Sequence, residues 1–98
     1  NDRLALSRDG IVVVAMTIDE KSGRVIKTPE VFSRGFVDIP ESIGLLEATA
    51  NLAMNTVNDS SVALERNDIK IMVAEILRSF LLKETGRRPL IVSLPVFV

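Results

Sequence analysis

From Gly10 to Asp19 the chain reads Gly-Ile-Val-Val-Val-Ala-Met-Thr-Ile-Asp, an almost unbroken β-branched run closed by an acidic turn residue. Such side chains are stiff and pack well on a pleated surface, so the run predicts a strand. A strand with one wet face alternates apolar and polar residues. Here Ile11, Val13 and Ala15 fall on one side, with Val12, Val14, Met16 and Ile18 on the other. Both sides ask for cover, which makes this the central strand of a sheet. The expectation is that 98 residues do not supply both covers.

A chain of this length makes one domain with a modest core, burying roughly two-thirds of its unfolded surface. Apolar residues are 47% of it, which excludes disorder. The net charge of −1 gives no pull toward nucleic acid or anionic lipid. Cysteine is missing, so disulfides, thiolate metal sites and cysteine nucleophiles are excluded. Histidine is missing as well, which removes the commonest metal ligand and the commonest general base. With neither tryptophan nor tyrosine, four phenylalanines are the aromatic complement. No apolar run approaches a membrane span and no signal-peptide pattern occurs, so the expected setting is cytoplasmic, without a membrane partner. An opening of Asn-Asp-Arg reads as an excised piece of a longer chain, residues 1–9 being the tail of a preceding helix or linker and residues 10–98 a single α+β domain.

After the central strand, Asp19-Glu20-Lys21-Ser22-Gly23 is a polar turn and Arg24-Val25-Ile26-Lys27-Thr28 has strand composition, which together predict a β-hairpin. Pro29 interrupts, so Glu30 to Val37 is either a bent continuation or a separate edge strand, with Gly35 marking a bulge or a close backbone approach. Asp38-Ile39-Pro40-Glu41 resembles a capping box for a helix running to about Asn58 on the stripe Ile43, Leu46, Ala50, Ala53, Met54 and Val57. Asn58-Asp59-Ser60 matches a glycosylation sequon but reads as a plain turn. Asn67 or Asp68 caps a second helix to Thr85, stopped by Gly86, on the stripe Ile69, Met72, Val73, Ile76, Leu77 and Phe80. The last segment, Pro89 to Val98, is a strand broken by Pro95. The order β-β-(β)-α-α-β predicts a small mixed sheet of three to four strands with two helices packed on one face.

Each helix also carries apolar residues its core stripe does not need. Leu45 and Leu52 lie opposite Ile43 and Ala50; Ile71 and Leu82 sit together away from Ile69, with Leu81 and Ala74 at the flank. Burying such a side chain stabilises by about 1.5–3 kcal/mol, so Leu45, Leu52, Ile71 and Leu82 are the expected contacts beyond the domain.

Chemistry is not visible in the residues. No serine has a histidine to activate it, no acidic spacing matches a calcium loop, and no glycine-rich phosphate loop occurs. Asp19 and Glu20 read as a wet turn. Arg24, Lys27 and Arg34, with Arg87 and Arg88 brought near by the last strand, are candidate phosphate or RNA contacts, weighed against a solvated rim of internal salt bridges.

The order of signals nevertheless resembles a family. Leu6-Ser7-Arg8-Asp9-Gly10 leads into the valine-rich strand, and Ser33-Arg34-Gly35-Phe36-Val37 follows Pro29-Glu30. Arg87-Arg88-Pro89 then enters the final strand. This is similar to the C-terminal domain of ribonuclease J, in the beta-CASP branch of the metallo-beta-lactamase superfamily. The resemblance implies a parent that is a zinc-dependent 5′-to-3′ exonuclease and endonuclease in RNA decay and processing. Its metal ligands would lie in a catalytic region outside this chain, so the fragment holds no catalytic residue and no cofactor. The implied role is non-catalytic: promoting homo-oligomerisation, as dimer or tetramer, and full activity beside the parent's catalytic region, with RNA reached through the parent. The alternatives are an independent RNA-binding module and an autonomous enzyme, the second set back by the absence of His and Cys.

Overall fold

A computed structural model of the chain describes residues 10–35, 39–60 and 65–98. The elements run β1 (Ile11–Ile18), β2 (Glu30–Arg34), α1 (Ile39–Asn58), α2 (Arg66–Thr85) and β3 (Leu90–Phe97). The sheet is three-stranded in the order β2-β1-β3, antiparallel on the β2 side and parallel on the β3 side. The expected α+β arrangement is therefore present, with β1 central. The expected helix tail over residues 1–9 and the capping box at Asp38 lie outside the described residues.

Both helices cover one face, α1 over β2 and α2 over β3. Under them lie Val12, Val14, Met16 and Ile18, all buried, joined by Ile91, Ser93 and Pro95 from β3. Alanines at 50 and 53 let α1 sit close, with Thr49 sealed beside them by donating its hydroxyl to the Leu45 carbonyl at 2.8 Å. Ser93, the other buried polar side chain, donates to the Lys70 carbonyl at 3.0 Å and ties β3 to α2. Arg66 stacks 5.6 Å from the Phe97 ring centroid, fastening the start of α2 to the end of β3.

The hairpin expectation needs correction. The segment after the turn makes one bridge, Ile18 to Val25, with the Asp19 amide donating to the Arg24 carbonyl (2.8 Å) and the Ile26 amide to the Thr17 carbonyl (3.0 Å). Val25 turns its own amide off the sheet, to Asn58 Oδ1 at 2.8 Å. Met16 and Thr17 then face Ile26, Lys27, Thr28 and Pro29, and pairing resumes in a new register at Glu30 opposite Ala15. Four residues of this segment thus stand against two of β1, a bulge that ends the first register. The separate edge strand is the partner of β1.

The helices shift in detail. Glu65, not Asn67 or Asp68, occupies the N-cap of α2, and no side chain caps it; Gly86 ends the helix as expected, at φ 72. The buried stripe of α2 is Ile69, Val73, Leu77 and Leu81. Leu81 thus belongs to the core rather than the flank, while Ile76 is exposed. The stripe follows the sheet beneath it, which the wheel alone does not know. Leu45 and Leu52 are half-buried and pack against this chain's own core.

Pro95 does not break the last strand. The Leu90 amide donates to the Gly10 carbonyl (3.0 Å) and the Val98 amide to the Ile18 carbonyl (2.9 Å), so the even-numbered residues of β3 bond to β1. The period of two turns the backbone of Ile91, Ser93, Pro95 and Phe97 outward. Proline therefore sits where no ladder amide is required.

Candidate interaction surface

The face of the sheet away from the helices carries Ile11, Val13, Ala15 and Thr17 from β1, Glu30, Phe32 and Arg34 from β2, and Leu90, Val92, Leu94 and Val96 from β3. The registers set them in rows: Val13 lies between Phe32 and Val92, Ala15 between Glu30 and Leu94. Phe32 is 57% exposed, Leu94 43% and Val96 52%. No described element packs on this side, so the expectation of one covered and one uncovered face holds among the described residues. These exposed apolar side chains are neighbours on one face rather than scattered surface hydrophobics. The alternation Leu90, Val92, Leu94, Val96 was the signal that could have found it, once Pro95 is read as tolerated.

The helix backs contribute less. Ile71 is 59% exposed and Leu82 36%, so both remain available for outside contact; Leu45 and Leu52 are largely engaged inside.

At one end of the sheet three segments converge. Gly10 (φ 84) lies so close to the end of β2 that a Cβ there would stand 2.5 Å from the Arg34 carbonyl oxygen, and its own carbonyl receives the Leu90 amide. The close backbone approach expected at Gly35 is real, with Gly10 as its counterpart. The Asp-Gly, Ser-Arg-Gly and Arg-Arg-Pro signals thus meet around one backbone junction.

The basic residues do not form one patch. Arg34, opposite Ile11, and Arg87 and Arg88, which precede Leu90, share the Gly10 end. Arg24 lies past Ile18, a strand length of about 23 Å away, and Lys27 lies in the bulge opposite Met16 and Thr17. Arg87 and Arg88 already carry interactions within the chain. At the turn, the hydroxyl and then the amide of Ser22 hold the Asp19 carboxyl below its ordinary value of 3.8. The Ser22 amide lies 3.2 Å from Asp19 Oδ2. Asp19 is a turn-former.

Comparison with known proteins places this arrangement. The family profile described as "Ribonuclease J C-terminal domain" matches residues 1–98. The chain belongs to the ribonuclease J C-terminal domain family. Ribonuclease J2 of Bacillus subtilis (strain 168) is 33% identical over 95 residues, covering 95% of this chain and 17% of that protein. Ribonuclease J 2 of Streptococcus pyogenes serotype M3 is 38% identical over 97 residues, covering 97% and 17%. Ribonuclease J 1 of the same organism is 31% identical over 98 residues, covering 95% and 17%. The chain thus spans about a sixth of the length of these curated relatives.

Among the described residues, the ligands that zinc usually takes are not gathered. The chain has neither His nor Cys, and among the described residues no three Asp or Glu side chains gather. No helix of the described residues is long and apolar enough to cross a membrane.

Proposed function

We propose that this chain is the non-catalytic, assembly-promoting domain of a cytoplasmic ribonuclease J-like enzyme, which degrades and processes RNA with zinc held elsewhere in its length. The domain brings protomers together and seats them against the catalytic region, and full activity depends on that contact. The observation that carries this reading is the uncovered apolar sheet face. Leaving Phe32, Leu94 and Val96 about half exposed forgoes roughly half of the 1.5–3 kcal/mol that full burial of each contributes, a loss that contact with a partner recovers. Family membership supplies the ribonuclease context.

Leu94→Asp with Val96→Asp in the parent protein tests it by sedimentation. Both residues stand exposed on the open face, so the fold survives, and the assembled mass should fall by at least one protomer. Unchanged mass and unchanged ribonuclease activity would remove the reading. Single-stranded RNA titrated into the 98-residue chain at low salt checks the competing module: micromolar, salt-sensitive affinity would favour it.

A further inference from the structure

The two edges of the sheet differ in kind. On the β3 side the outward backbone is interrupted by Pro95, which offers no amide to an added strand. On the β2 side nothing of that sort intervenes. The odd-numbered residues of β1 turn their backbone toward β2, as the bonds at Thr17 and Asp19 show. Glu30, Phe32 and Arg34, opposite Ala15, Val13 and Ile11, therefore bond inward. The amides and carbonyls of Val31 and Ser33 face outward, and no described strand pairs with them.

We propose that β2 is a self-pairing edge. Two copies of the domain, related by a two-fold axis through Phe32, join their β2 strands antiparallel, with Val31 opposite the partner's Ser33 and Glu30 opposite the partner's Arg34. The proposal rests on the self-association argued above and adds to it a second contact, along the sheet edge.

The register follows from the residues. An isologous strand pair must be self-complementary about its axis. Centring on Phe32 uses all five residues of β2. It joins the outward groups of Val31 and Ser33 in hydrogen-bonded pairs. Phe32 then meets the partner's Phe32 in a non-hydrogen-bonded pair, where side chains approach most closely. Both Glu30–Arg34 pairs are likewise cross-strand neighbours of opposite charge. Centring on Val31 would set Glu30 against Phe32, and centring on Ser33 would leave Glu30 without a partner. Glu30, Phe32 and Arg34 are all exposed in the single chain, as the pairing requires. Beside β2 opens a groove of about 410 Å³ with Pro29, Val31, Leu46 and Ala50 among its walls. The result is one continuous sheet across both copies, with their uncovered faces on the same side.

Charge reversal tests it on the parent protein. Glu30→Lys and Arg34→Glu each place like charges at both cross-strand positions, and each should weaken association at least about tenfold by sedimentation equilibrium. The double variant Glu30→Lys, Arg34→Glu should restore it. The two single variants, mixed in equal amounts, should associate with one another better than either does alone, because every cross-strand pair between them is of opposite sign. Circular dichroism confirms that each variant is folded. An assembled wild type whose association ignores both reversals, or whose mixed variants do not associate, overturns the edge and leaves the apolar-face reading standing. A monomeric wild type overturns both.

Discussion

Gly10 shows what one missing Cβ permits. Its backbone lies against Arg34 and Gly35 at a positive φ, so an alanine there meets both a forbidden conformation and a backbone it cannot displace. Gly10→Ala should destabilise by more than the roughly 1–2 kcal/mol of left-handed strain alone. Gly35→Ala should cost close to that strain and no more, since its Cβ would stand 3.7 Å from the nearest atom, Gly10 Cα. Urea unfolding of the two variants reads the difference. Asp19 gives a second prediction. Its carboxyl is held below the ordinary 3.8 by Ser22, so the charged form favours the folded state. That contribution is present above the unfolded value and is lost as pH falls through the lower folded value. The stability gap between wild type and Asp19→Asn should therefore close on acidification past the ordinary carboxylate range, measured as urea midpoints.

Among the elements, α2 and β3 carry the informative contrasts. Leu81 is fully buried under the helix pair while Ile76, one and a half turns back, faces out. Leu81→Ala should cost about 2–5 kcal/mol and Ile76→Ala well under half of that. Pro95 is a device of the edge rather than a flaw in the strand. Pro95→Val leaves every bond to β1 in place, because the new amide points outward. The variant should keep its thermal stability and gain a concentration-dependent tendency to associate, seen by light scattering.

For the molecule as a whole, one sheet with one covered face is the organising fact. Two helices of twenty residues each cover the side under α1 and α2, and no described element covers the other. Ile71→Asp with Leu82→Asp should reduce the mass of the parent assembly less than Leu94→Asp with Val96→Asp, because two side chains on a convex helix bury less area than a flat strand row.

The sequence by itself determined the element order, the helix ends at Asn58 and Gly86, and the central, two-faced character of the first long strand. These follow from local causes: β-branching, helical period, and glycine or proline at element ends. It also excluded catalysis built on histidine or cysteine. Only the tertiary structure decided which neighbour β1 takes, because the bulge before Glu30 depends on where Val25 finds Asn58. Only it decided that Leu81 is core and Ile76 is not, that the arginines split between two ends, and that Pro95 faces away from the ladder. Each of these depends on register and on the sheet beneath a helix. Those are properties of pairs of elements, and no single stretch of chain carries them.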